Sequence, residues 1–126
     1  MHDSHNVGLK MSQTLGEFEL MLLLAVVRLG DDAYGVNLRR AIQEQTGRNV
    51  SAGAVYTTLG RLETRGLVSS REGETAPERT GMRRRYYQVR PDGARQIQRS
   101  MRHVEAMARG LTPLLNELAG GQPKRD

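Results

Sequence analysis

The chain has 126 residues, 37% of them hydrophobic and 26% charged, which suits one folded domain with at most one added dimerisation element. It contains no cysteine, which excludes disulfides and thiolate metal sites, and its longest apolar run, Leu20 to Val27, is far shorter than the roughly 20 residues that span a bilayer. A formal net charge of +5 favours a polyanionic partner, nucleic acid before an anionic membrane, and the expected location is cytoplasmic.

Residues 1–13 are polar and aperiodic and read as a flexible tail. His2 and His5 have HxxH spacing but no third ligand nearby, so no metal site is expected. Thr14 and Glu17 have the form of a capping box, Thr14 capping and Glu17 reaching back, which opens a first helix running to about Leu29 with Gly30 as its stop. This helix is apolar almost all round, so a partner chain is the simplest cover for its second face, and Phe18 and Leu22 are assigned to that interface. After a turn at Asp31 to Gly35, a second helix covers Gly35 to Thr46, with Leu38, Ala41 and Ile42 inward and Gly47 as its stop. Ser51 is a good N-cap for a third helix, Ser51 to Arg65, ended by Gly66. In it Val55, Leu59 and Leu62 form a buried stripe. The opposite face, Gly53, Thr57, Gly60, Arg61 and Thr64, is small or basic, and Tyr56 lies on the flank.

Leu67 to Arg71 reads as a strand, Glu72 to Met82 as a long loop and Arg83 to Val89 as a second strand, together a hairpin. Arg79, Arg83, Arg84, Arg85 and Arg90 stand within it or beside it with no acid between positions 79 and 90. Alternation puts Arg83 and Arg85 on one face and Arg84 on the other, and Tyr86 and Tyr87 are read as sheet packing. Pro91-Asp92-Gly93 breaks the strand, and a last helix is expected over about Asp92 to Ala119. Ile97, Met101, Val104, Ala108, Leu111, Leu115 and Leu118 follow 4-3 heptad spacing and are assigned to a homodimer seam. Gly110 and Pro113 weaken the later part of this helix, His103 falls on its polar side, and residues 120–126 read as a disordered tail.

This order predicts a mainly α fold with a two-stranded β-hairpin: a winged helix-turn-helix over residues 14–90, then a long C-terminal dimerisation helix over 91–119. In such a module the third helix enters the major groove and the hairpin is the wing. Ser51, Ala52 and Gly53 let the backbone approach DNA, Thr57 meets a base edge, and Tyr56 and Arg61 reach backbone phosphate or sugar. Arg79, Arg83, Arg84 and Arg85 are the wing's candidate phosphate contacts. The expected function is a sequence-specific DNA-binding regulator, a repressor acting on a palindromic operator as a homodimer. The alternative is a winged-helix protein–protein interaction module, which would have no need of the arginine-rich hairpin. No paired carboxylates, phosphate loop, zinc set or cysteine nucleophile marks an enzyme, and no cofactor is expected.

Three stretches, LGEFELMLLLAVVRLGDDAYG, VSAGAVYTTLGRLETRGLVSS and RRRYYQVRPDG, resemble the PadR family of bacterial transcriptional regulators, from about Leu15 to Gln96 and into the following helix. The resemblance implies a homodimeric winged-helix repressor, often of detoxification, efflux or transporter genes, dimerised by its C-terminal helix. With one such helix the chain is similar to the short-tailed branch. Some members hold flat aromatic ligands between subunits, so a small aromatic effector is one further expectation. The tryptophan that lines that pore in certain members has no counterpart here, and Met101, Val104 and Met107 are read as dimer seam.

Overall fold

The computed structural model describes residues 14–75 and 83–120. The tail expected at 1–13, the end of the chain from residue 121, and Arg79 lie outside these residues.

The first helix, α1 (Glu17–Leu29), starts two residues later than the sequence suggested. Gly16 is its N-cap, and Glu19, not Glu17, reaches back to accept the Gly16 N–H at 2.9 Å. Thr14 therefore lies outside the cap. The expected capping box failed because two acids stand in the first turn and only the one at the third helical position has the right reach. Leu22, Leu23, Ala25 and Val26 of α1 are buried, and Phe18, Leu20, Met21 and Leu24 pack against the same core. The subunit thus covers most of an all-apolar helix by itself, and on α1 only Val27 stands out, at 57% exposure. Leu22, expected at a dimer interface, is fully buried within its own subunit.

A 3-10 turn, Gly30–Asp32, leads to α2 (Gly35–Thr46), which buries Leu38, Ala41 and Ile42. Gly47 ends it at φ 75°, a left-handed conformation that costs a residue without Cβ nothing, and its N–H bonds back to the Gln43 carbonyl. Ser51 caps α3 (Ala52–Thr64). Val55, Leu59 and Leu62 are fully buried at i, i+4 and i+7, joining Leu22, Leu23 and Leu38 in one core. Each such side chain contributes about 1.5–3 kcal/mol on leaving water.

Strand β1 (Val68–Thr75) pairs antiparallel with β2 (Arg83–Val89), from Val68 opposite Val89 to Glu72 opposite Arg85, with a register irregularity between Glu72 and Thr75. The hairpin is longer than the sequence predicts, because Glu72 to Thr75, expected as loop, continue the strand. Cross-strand pairing holds this Gly-containing stretch in place, an effect beyond local propensity. On its other edge β2 is tied to the turn before α2: Tyr34 bridges Tyr86, and the Tyr87 N–H donates to the Ala33 carbonyl at 2.9 Å. Tyr86 and Tyr87 are buried, and their packing role holds.

Beyond the sheet, α4 (Pro91–Ala108) lays its first turn on the start of β1. A Cβ on Gly93 would collide with the Leu67 carbonyl oxygen, and the Arg90 N–H donates to that same oxygen at 2.9 Å. Ile97, expected in the dimer seam, is instead buried in the subunit core. The single helix expected to Ala119 is broken. Arg109 leaves the helical region (ψ 125°), Gly110 takes φ 79°, and a separate short helix, α5 (Thr112–Leu118), follows. The heptad spacing therefore does not run along one axis, because the left-handed glycine redirects the chain and Pro113 suits the start of a new helix. The result is a mainly helical winged helix-turn-helix with one two-stranded antiparallel sheet.

Candidate nucleic-acid interface

The third helix and the hairpin carry the residues singled out for DNA. The Ser51 Oγ accepts the Ala54 N–H at 3.0 Å, so this side chain caps the helix. Ahead of it, the Arg39 side chain donates to the Val50 carbonyl at 3.1 Å and holds the turn onto α2. Ala52, Gly53, Thr57, Gly60 and Arg61 are all exposed on one side of α3, as their spacing required. A Cβ on Gly60 would meet nothing within 4 Å, and one on Gly53 would make only an ordinary contact with Ser51. The subunit does not itself require either glycine.

Tyr56 is placed differently. It is half-buried, and its hydroxyl lies so close to Gly35 that a Cβ there would collide with it. The flank position is right, but the ring leans on the start of α2. Arg61 is drawn toward Glu19 of α1 at 3.8 Å, and Arg65 reaches the same carboxylate at 3.5 Å. Glu19 thus caps α1 and also orients Arg61 of α3 and Arg65 at its C-cap. The Glu19 carboxylate is itself only 16% exposed, so these contacts fix the direction of both guanidinium groups at the edge of the core.

Each of the hairpin's three neighbouring arginines has a partner. Arg83 donates to the Gly73 carbonyl at 3.1 Å. Arg85 donates to Ser70 Oγ at 3.0 Å and pairs with Glu72 at 3.4 Å, and Ser70 donates on to Glu63 of α3 at 2.8 Å. Arg84 lies on the opposite face, as alternation predicted, with its guanidinium 4.1 Å from the Tyr34 ring centroid. Arg71 lies over Tyr86 at 4.7 Å, and the Tyr86 hydroxyl donates to Glu74 at 2.9 Å. Hydrogen bonding to the Glu74 backbone, then the Tyr86 hydroxyl, then the nearby Arg84 and Arg71 charges hold the Glu74 carboxyl below the ordinary glutamate range. Sequence reasoning missed Tyr34, Arg71 and Glu74. Alternation from Arg84 and Tyr86 could have put Arg71 on their face, but only given a register, and no local signal brings Tyr34 to the hairpin.

Of the expected seam, Phe18 is half-buried with Arg48 over its ring at 5.9 Å. Met101, Val104, Ala108, Leu111, Leu115 and Leu118 are all exposed. Among the described residues no group of three or more His, Cys, Asp or Glu side chains could hold a metal ion, and no helix is long and apolar enough to cross a membrane.

Comparison with functionally curated proteins gives no match. Among solved structures, a PadR family transcription regulator from Clostridium difficile is similar with a TM-score of 0.65 and 19% identity, over 79% of this chain and 99% of that one. A PadR family transcriptional regulator from Eggerthella lenta is similar with a TM-score of 0.60 and 21% identity, over 91% and 97% of the two chains. Bacillus subtilis PadR in complex with operator DNA is similar with a TM-score of 0.57 and 16% identity, over 67% of this chain and 47% of that one. At these identities the likeness is one of fold. The sequence itself matches the model of the transcriptional regulator PadR-like family over residues 23–99, from the middle of α1 through the hairpin into α4. With the capped third helix and the arginine-bearing hairpin inside that span, the chain belongs to the PadR-like family of transcriptional regulators.

Proposed function

We propose that this protein is a homodimeric, sequence-specific repressor that binds a palindromic operator in the cytoplasm, with α3 in the major groove and the hairpin on the phosphates. It is not an enzyme in this reading. The observation that carries it is the exposed face of α3. Glycine inside a helix costs about 0.8–1.0 kcal/mol relative to alanine, yet nothing within the subunit needs Gly60 to lack a side chain. A face kept thin at that cost, with Thr57 between two glycines, suits a surface that another molecule approaches closely. The operator DNA bound by Bacillus subtilis PadR, which shares this fold, supports duplex DNA as that molecule.

The dimer reading rests on a different surface. Of the eight exposed large hydrophobics among the described residues, seven lie between Met101 and Leu118. A second copy is the simplest cover for them. Two-fold symmetry would then hold two α3 helices about 34 Å apart, one turn of DNA. The test is enrichment of binding sites from a pool of random duplexes, with the mass of the complex measured alongside. The expected result is a palindromic motif with half-site centres about 10–10.5 base pairs apart, bound by two copies. Failure to enrich any motif, or one half-site bound by a single copy, would refute the proposal.

A further inference from the structure

The hairpin is held along both of its edges. On the edge of β2 away from β1, the Tyr87 N–H donates to the Ala33 carbonyl at 2.9 Å, and Tyr34 bridges Tyr86. Ser70 stands opposite Tyr87 in the strand register, so it lies at the same height on β1. Its hydroxyl donates to Glu63 Oε2 of α3 at 2.8 Å and accepts from Arg85 at 3.0 Å. The end of α3 that carries Glu63 is itself tied down, because Arg61 and Arg65 both reach Glu19 of α1. The ribbon is therefore joined to the turn before α2 by backbone pairing and to α3 by a side-chain bond.

Two strands alone form a strongly twisted ribbon of little stiffness. Held along one edge, such a ribbon can roll about that edge; held along both at one height, it cannot. Buried Val68 and Tyr87 fix how deep the ribbon sits, and the bond to Glu63 adds a lateral constraint at the surface. Arg85 strengthens that bond, because a hydroxyl oxygen that accepts from a cation becomes a better O–H donor. Glu63 is the only acid in α3, and it is exposed. A carboxylate at a DNA-binding face opposes the phosphates. We propose that Glu63 and Ser70 are positioning residues for DNA binding: the bond between them fixes the roll of the wing relative to α3. The helix that enters the major groove and the hairpin that meets the phosphates are thereby one rigid unit before DNA arrives, and binding need not order the wing.

The inference rests on the DNA-binding reading, and the experiment separates the two. Affinity for an enriched duplex is measured for the wild type, Glu63→Ala, Glu63→Gln, Ser70→Ala, Ser70→Thr and the double variant with both alanines. An acid that merely sits near DNA gives tighter binding when it is removed, because repulsion of the phosphates is lost. The positioning role predicts the opposite sign. Glu63→Ala and Ser70→Ala should each weaken binding about fivefold, the worth of one net hydrogen bond. The double variant should bind as either single variant does, because both changes break the same bond. Glu63→Gln keeps an acceptor and Ser70→Thr keeps the hydroxyl, so both should bind at least as tightly as the wild type. Tighter binding by Glu63→Ala, wild-type binding by Ser70→Ala, additive losses in the double variant, or equal losses in the conservative variants would overturn the inference. If Ser70→Ala does not fold, the exposed Glu63 carries the test, because its truncation leaves the core intact. A wild type that binds no duplex overturns the DNA-binding reading itself, and the positioning role with it.

Discussion

Replacing Gly60 by alanine should make the protein more stable and a poorer DNA binder. Gly60 lies in the interior of α3, on its exposed face, and is not among the glycines with positive φ. Alanine can therefore adopt the same backbone conformation without strain, and its Cβ would meet nothing within 4 Å. The helix should gain about 0.8–1.0 kcal/mol. For a chain between the small and mid-sized domain ranges that gain raises the melting temperature by about 3–6 °C. On the DNA the methyl group would stand in the gap that the glycine leaves open. Overfilling a close-packed contact costs about 1–3 kcal/mol, which is a loss of roughly 5- to 150-fold in affinity. Thermal denaturation by circular dichroism, at equal protein concentration, reads the first effect, and fluorescence anisotropy with an enriched duplex reads the second. A variant that melts higher and binds as tightly as the wild type would show that this face does not approach DNA. A variant that melts lower would show that the subunit itself needs the glycine.

Other substitutions probe the remaining surfaces. Val104, 63% exposed near the C-terminal end of α4, should tolerate aspartate within the subunit, so Val104→Asp is expected to fold normally but to run as a single copy in light scattering, with loss of operator binding. An unchanged mass would move the seam elsewhere. Gly93→Ala should destabilise the protein by about 1–3 kcal/mol, because the new Cβ meets the backbone carbonyl of Leu67, which cannot swing aside as a side chain could; an unchanged denaturant midpoint would contradict the close approach of α4 to β1. The Glu74 carboxyl is held below its ordinary range in the fold, so its share of stability is present above the unfolded pKa and is lost as pH falls through the folded one, on the acid side of that range. Tyr86→Phe removes the side-chain hydrogen bond and should move the Glu74 midpoint upward in a carboxyl carbon NMR titration, and an identical midpoint would mean the bond is not formed in solution.

Local chemistry made the helix-turn-helix legible. Ser51 capping α3, Gly47 ending α2 and the stripe of Val55, Leu59 and Leu62 each follow from rules that act within a few residues. The same holds for alternation in β2, which separated Arg84 from Arg83 and Arg85 and could be read without a partner strand. Where two local signals competed the reading slipped, as with Thr14 and Gly16 for the first cap, and with the heptad spacing against Gly110 for the last helix.

What the sequence determined by itself was the order of elements through the hairpin, the inward stripes of α2 and α3 and the thin outer face of α3, because periodicity and capping need only near neighbours. Only the tertiary structure decided what covers α1, which residues of the heptad spacing remain exposed, and what each arginine touches. Ile97 and Leu22 are as apolar as Val104, and their spacing cannot tell a residue packed by its own subunit from one left for a partner. Arg84 and Arg85 are adjacent and chemically identical, yet one lies on Tyr34, fifty residues earlier, and the other is paired with Glu72 across the hairpin. Burial and pairing depend on which distant segments the fold brings together, and that information is held in the packing of the whole chain rather than in any stretch of it.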